Sequence, residues 1–502
     1  MNHLLLLPIL VPLAGALAAL VGERAGPRLE RTVGAIATLA LLPVAAVLFG
    51  VAAEGRVIAY AVGGWPAPFG IVLVLDRFAA WMLLVTAVVA AGALLSAVDR
   101  SDESGRHFHV LFQFQLMGIH GAFLAGDLFN LFVFFEVLLI ASYALLCHGT
   151  RPGRTMAAVR VAVLNLLGSA LFLVAVGCLY SAAGTLNLAD LAQRAAGLPA
   201  DRGGLWQAGA WLLVVVFALK AAALPLGFWL PGAYATVDGA VAALFSVLTK
   251  VGVAALVRCG TLLFPDLGIG PVAWAAALGT LAVGATGMLA ARRMSRLAAH
   301  AVIVSVGVLL VAVAPFTRES LAAATFYLAH GTLATAAFFL VTTRIAAARG
   351  AAGDRLEAGP AFRGPVALPL AFLCVAVAVA GLPPLGGFLA KAAILDAAGG
   401  GSRAGATFAA VLASSLLATY ALARAGSNVF WKAGQDGGEV APLRQRESSL
   451  ASVGMALLLA AVLLLAALAG PVYRQAEEVA AQLLDREGYV EAVLGARTGT
   501  GG

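Results

Sequence analysis

The sequence predicts an all-α polytopic membrane protein of about fourteen transmembrane helices, on three observations. Hydrophobic residues make up 62% of the 502-residue chain and charged residues 11%. The mean hydropathy is +0.97. Apolar stretches of about 20 residues, each long enough to cross a hydrocarbon core of roughly 30 Å, recur along nearly the whole length. A chain of this composition cannot stay dissolved outside lipid.

The spans are expected near 3–22, 31–52, 72–98, 109–126, 128–149, 160–183 and 206–229, then 237–260, 271–291, 297–316, 321–346, 366–397, 404–430 and 450–471. The first lacks a basic segment ahead of it, and Gly22-Glu23-Arg24 is not a small-x-small cleavage site. It therefore reads as a retained helix. Arginine and lysine are about threefold more frequent in alternate connections, such as those holding Arg28, Arg31, Arg106, Arg154, Arg292, Arg293, Arg296 and Arg349, as the positive-inside rule requires if both termini face outward. Two segments fall off the spans: Leu186–Leu198, and Tyr473–Leu494, whose apolar residues at helical spacing suit an interfacial or partner-docking helix, with a frayed polar tail as the alternative. With no interdomain linker, residues 1–502 are expected to form a single membrane domain.

Several chemistries are excluded by residue type and spacing. Cys147, Cys178, Cys259 and Cys374 lie far apart in apolar runs with no CxxC, which leaves no iron–sulfur, haem or zinc framework. His107 and His109 lie beside Asp99, Asp102 and Glu103 and read as a solvated loop, not a metal site. No nucleotide-binding motif is present, and no cofactor is expected. The +7 net charge is spread over loops without interleaved aromatics, which argues against a nucleic-acid partner. Asp76-Arg77 reads as an interfacial pair.

The informative residues are charges set deep in apolar helices: Glu136 in LFVFFEVLLIASY, Lys220 in LLVVVFALKAAALP, Lys250 in ALFSVLTKVGVAAL and Lys391 in PLGGFLAKAAIL. Each costs roughly 2.5–3.5 kcal/mol at a bilayer centre, so such residues mark ion or proton paths. Lys220 precedes Pro225, and Lys391 follows a stretch containing Pro383 and Pro384. Both helices must break, and paired breaks in the two halves of a transporter point to inverted repeats around an ion path. Glu136 is expected to pair with Lys220, so that movement of either helix loads or releases a proton. His300, Ser305 and His330 are candidates to carry protons between Lys250 and Lys391. His120 and Asn165 are explained as well by helix–helix hydrogen bonds.

On DLFNLFVFFEVLLIASYALL from Asp127, LPLGFWLPGAY from Leu224, ALFSVLTKVGVAALVR from Ala243 and LPPLGGFLAKAAIL from Leu382, the chain resembles the antiporter-like membrane subunits shared by respiratory complex I and the Mrp-type cation/proton antiporters. Within that group it is most similar to the D subunits of the Mrp-type antiporters. The resemblance implies fourteen helices with two inverted five-helix repeats, spans four to eight (109–260) and nine to thirteen (271–430), after three N-terminal helices (1–98) and before a last helix with its tail (450–502). It implies proton-transfer roles for Glu136, Lys220, Lys250 and Lys391. It also implies work within a complex containing the A and C subunits and small membrane subunits, in a bacterial inner membrane, exchanging protons for sodium or potassium. The chain departs from many relatives at Gly331 and Thr335 and at LAAHAVIVSVG in the tenth span, where ordered water is expected to carry more of the path. Competing expectations are a proton-pumping subunit of a redox complex and an inert scaffold.

Overall fold

In a computed structural model of the chain, residues 2–22, 26–65, 67–98, 102–149, 154–357, 362, 364–432 and 449–495 are described. Glu23, Arg24 and Asp99 lie outside them. Apart from one short hairpin, the regular structure is helical. Among the described residues, twelve helices are long and apolar enough to cross a membrane. The expected spans at 109–126 and 366–397 correspond to shorter apolar helices.

α1 (Leu7–Gly22) and α2 (Pro27–Ala53) are followed by a two-stranded antiparallel hairpin, β1 (Ile58–Ala61) with β2 (Val72–Leu75). The hairpin corrects the expectation of one helix over 72–98. Val72–Leu75 pairs with β1, and Asp76 then caps a new helix by accepting from Ala79 N at 2.8 Å. That helix is α3 (Arg77–Ala97). α4 (Phe108–Leu124) meets α1 where His120 Nδ1 lies 3.1 Å from the Pro8 carbonyl. Pro12, four residues on, has no N–H to give that carbonyl, so the histidine supplies the missing bond.

α5 (Leu128–Cys147), α6 (Arg154–Ala183) and the short α7 (Leu188–Ala195) lead to α8 (Gly203–Ala221). The expected break at Pro225 is present: α8 ends eight residues short of the expected boundary at 229, with Ala222 in the left-handed region at φ 59°. Protein groups satisfy the freed backbone, as membrane depth demands. Leu224 N donates to Thr280 Oγ1 at 2.9 Å and Trp229 Nε1 to the Leu219 carbonyl at 3.2 Å. α9 (Trp229–Tyr234), α10 (Gly239–Phe245) and α11 (Leu248–Leu262) complete the first half.

α12 (Ile269–Ala290), α13 (Met294–Val313) and α14 (Arg318–Ala348) follow. Every residue of the apolar window of α14 is buried, which makes it the central pillar. The stretch expected as one span at 366–397 is two helices, α15 (Ala367–Ala380) and α16 (Gly386–Ala398). Gly381, at φ 77°, ends α15 with a left-handed cap that favours glycine. α17 (Ala404–Gly426) and α18 (Ser449–Ala467) come next.

The C-terminal segment is ordered as α19 (Ala469–Leu484) and α20 (Arg486–Gly495), and it docks on its own chain. Gln482 accepts from Arg77 N at 2.8 Å and donates to the Gly55 carbonyl at 2.9 Å. The expected Asp76–Arg77 pair is not formed. Asp76 pairs with Arg258 at 2.5 Å and Arg77 with Glu478, because an N-cap carboxylate turned into the bundle faces α11 and not its neighbour in sequence. The Arg258 guanidinium also lies over the Phe78 and Tyr489 rings.

A buried line of lysines at two broken helices

Glu136 and Lys220 are brought together through a third residue. Ser169 on α6 donates to the Glu136 carboxylate, and Lys220 Nζ lies 3.5 Å from Ser169 Oγ and 3.4 Å from the Asn165 carbonyl. No direct ion pair joins Glu136 and Lys220 among the described residues. A hydroxyl that accepts from an ammonium and donates to a carboxylate can pass a proton between them without either moving far. Gly168 makes room for this contact: a Cβ there would lie 2.5 Å from Leu219 and 3.9 Å from Lys220 Cε.

Lys220 also lines a cavity of about 20 Å3 with Asn165, Ser142, Tyr234, Phe245 and Leu248. That is room for about one water. Leu248 opens the helix that carries Lys250, and Gly252 of that helix lies against the Lys220 backbone, where an added Cβ would be 2.9 Å from the Lys220 carbonyl carbon. The close approach puts the two lysine helices in backbone contact at membrane depth. Lys250 is fully buried and its Nζ has no hydrogen-bond partner among the described residues, as is true of the neighbouring Thr249 hydroxyl. An unpartnered buried amine is expensive to keep charged, so it suits a group that takes and gives a proton.

The second break gathers Lys391 and His330. Lys391 Nζ donates to the Ala380 carbonyl at 2.8 Å and to Ser415 Oγ at 2.9 Å. His330 Nε2 lies 3.1 Å from the Ala378 carbonyl. A carbonyl only accepts, so Nε2 carries the proton and Nδ1 is left as the bare nitrogen, buried and unpartnered. Both bonds fall on the last turn of α15, where the Ala378 carbonyl is shared with the Gly381 N–H at 3.3 Å and the Ala380 carbonyl lies past the end of the helical ladder. Gly386 and Gly387 admit the imidazole, since a Cβ at Gly387 would sit 2.7 Å from Nε2.

The remaining candidates divide. The buried hydroxyl of Ser305 faces Gly331, where an added Cβ would be 2.6 Å from Oγ and 3.3 Å from the Tyr327 ring. It stands one residue from His330 in the α13–α14 seam. His300 is half-buried and bonds the Arg296 carbonyl of its own helix at 2.8 Å, which leaves it beside the arginine loop. Thr335 bonds back to the Gly331 carbonyl at 2.7 Å. Ser169 and Ser415 are the residues that sequence reasoning missed. Among the described residues no group of three or more His, Cys, Asp or Glu could hold a metal ion.

On the loop side of α4, Asp102 accepts from Arg31 at 2.7 Å and lies 3.5 Å from His109 Nε2. Burial works against its ionisation, but the hydrogen bonds from His109 and Arg31 outweigh it and hold the carboxyl below its ordinary value.

A multi-pass helical bundle with three buried lysines, two of them at broken helices, has the architecture of an ion-translocating membrane protein. Residues 125–418 match the family described as NADH:quinone oxidoreductase/Mrp antiporter, TM. The chain belongs to that family. It is 39% identical over 99% of its length to the probable K(+)/H(+) antiporter D subunit of Rhizobium meliloti, covering 98% of that protein. It is 36% identical over 98% of its length to the Na(+)/H(+) antiporter D subunit of Bacillus subtilis, covering all of it. Its fold matches a chain of the Mrp complex from Dietzia sp. DQ12-45-1b with a TM-score of 0.85 at 26% identity, covering 98% of this chain and 99% of that one. A chain of the membrane-bound sulfane sulfur reductase, an archaeal respiratory membrane complex, matches with a TM-score of 0.88 at 27% identity, covering 98% of this chain and all of that one.

Proposed function

We propose that the chain is the proton-translocating D subunit of a multisubunit cation/proton antiporter, exchanging external protons for internal sodium or potassium. The observation that carries this is three buried amines, Lys220, Lys250 and Lys391, none in ion-pair contact with a carboxylate among the described residues, with Glu136 reaching Lys220 only through Ser169. A structural salt bridge would bind its partner directly, whereas this arrangement leaves each amine free to change protonation. Lys220 loads a proton under the influence of Glu136. Lys250 and His330 pass it on, with Ser305 in the seam between them and His300 at the loop-side margin, and Lys391 exchanges it with the far side. The names of the relatives at 36–39% identity favour the antiporter.

Partners of this chain are the A and C subunits and small membrane subunits, in a bacterial inner membrane, with both termini facing outward. The structural match to a respiratory membrane complex favours a second assignment, in which electron transfer elsewhere drives the same line. Neighbouring genes separate the two: quinone or nickel–iron subunits mark the redox complex, and small antiporter subunits mark the exchanger. The functional test is cation-dependent proton flux in everted vesicles from an antiporter-deficient host carrying the whole operon. Flux is expected with the native protein and lost with Lys220→Ala. Unchanged flux in the assembled Lys220→Ala complex overturns the assignment.

A further inference from the structure

A second feature lies on the side of the C-terminal helices, with one wall against the second helix break. Between α3, α14 and the α18–α19 junction is an almost wholly apolar cavity of about 340 Å3, walled by Trp81, Leu84, Val88, Leu333, Leu464 and Leu468. Leu464 and Leu468 are 58% and 45% exposed, so it opens toward lipid. An apolar cavity of about 150 Å3 already stays dry and takes up a small hydrocarbon, and this one is more than twice that size. At membrane depth the hydrocarbon at hand is an acyl chain.

The cavity ends at Gln475, and a polar one of about 420 Å3 begins one helical turn farther on. Glu478 follows Gln475 by a turn on α19, and Arg77 precedes Trp81 by a turn on α3. The polar cavity holds Arg77, Arg318, Glu478 and Asp485, two cations and two anions, so its net charge is zero. Arg77 and Glu478 are spent on each other. Arg318 is exposed and has no partner among the described residues, and the Asp485 carboxylate accepts only from the Gly488 backbone, at 3.0 Å. One free cation and one underused carboxylate beside an acyl-sized groove match a headgroup carrying both a phosphate and an amine.

We propose that the two cavities together bind one zwitterionic glycerophospholipid with a primary-amine headgroup, its acyl chain in the apolar groove, its phosphate on Arg318 and its amine toward Asp485. The bound chain also has a place in the mechanism. Ala329 and Leu465, on the groove wall, flank the second helix break: Leu465 lies 3.7 Å, and His330 Nδ1 3.2 Å, from where a Cβ at Gly386 would stand. A filled groove keeps the lipid-facing flank of His330 dry and closes a lateral leak for protons.

The test is native mass spectrometry of the assembled complex, with extracted lipids quantified, from membranes containing phosphatidylethanolamine, phosphatidylglycerol and cardiolipin. The native complex is expected to retain phosphatidylethanolamine. Ala461→Phe, which fills the groove from its wall, and Arg318→Ala are each expected to lower retention by roughly tenfold, the loss of about one charge-assisted contact or its apolar equivalent. Arg318→Lys is expected to keep it. Arg318 is exposed, so its variants test the headgroup without touching the core. Retention unchanged by both Ala461→Phe and Arg318→Ala overturns the site. So do preferential retention of phosphatidylglycerol or cardiolipin, and a native complex that holds no lipid because a neighbouring protein of the complex fills the groove.

Discussion

Replacing Ser169 with alanine removes the hydroxyl that stands between Lys220 and Glu136 while leaving both charges in place. In the structure that hydroxyl donates to the carboxylate and lies 3.5 Å from Lys220 Nζ. The lysine keeps only the Asn165 carbonyl, at 3.4 Å. A hydrogen bond to a charged group contributes about 1.5–3 kcal/mol, and side-chain hydrogen bonds measured within membranes reach about 1.7. The overlap, roughly 1.5 kcal/mol, corresponds to about tenfold in rate if proton transfer between the two groups limits transport. Cation-dependent proton flux in everted vesicles is therefore expected to fall about tenfold for Ser169→Ala, with Ser169→Thr retaining most of it. In a double-mutant cycle with Glu136→Gln, the serine substitution should cost little once the carboxylate is neutral. A rate within about twofold of native for Ser169→Ala, or effects that simply multiply in the double variant, refutes a hydroxyl bridge.

Three other perturbations follow. Gly381→Ala forces a left-handed conformation costing about 1–2 kcal/mol and places a methyl 2.7 Å from Lys391 Cδ. The lysine should leave the Ala380 carbonyl and flux should fall with the complex still assembled, whereas Gly204→Ala, with nothing within 4 Å, should be silent. Arg258→Ala strands the buried Asp76 carboxylate and should lower stability by about 3–5 kcal/mol, read as a drop in thermal unfolding temperature that Asp76→Asn partly restores. Asp102 is held below its ordinary value of 3.8 in the folded state. Its contribution is therefore fully present above pH 4 or so and is lost as pH falls through the lowered value. Asp102→Asn should reduce stability at neutral pH and flatten the acid limb of unfolding below about pH 4.

How far the sequence discloses this structure depends on the range of the signal. The broken helices were legible because proline and glycine interrupt helices locally, and Lys220, Lys250 and Lys391 stood out against uninterrupted apolar runs. The family resemblance is upheld by full-length relatives. Ser169 and Ser415 were not legible, since serine in a membrane helix most often bonds its own backbone, as Ser414 does to the Val411 carbonyl at 2.9 Å. The strand Val72–Leu75 was hidden because a short apolar run carries no periodicity that separates strand from helix, and its partner lies across a loop. Asp76 with Arg258, and Arg77 with Glu478, are contacts between residues about 180 and 400 positions apart in the chain, beyond any local pattern. The hydrophobic spacing over Tyr473–Leu494 gave the helices but not their docking on the chain's own face.

The central claim, that protons move along the buried amines, is tested most directly by flux through assembled complexes carrying Lys220→Ala, Lys250→Ala or Lys391→Ala. Each single substitution should abolish cation-dependent proton flux while leaving the stoichiometry of the complex intact. Full exchange activity with Lys250, the amine without a hydrogen-bond partner among the described residues, replaced by alanine contradicts it.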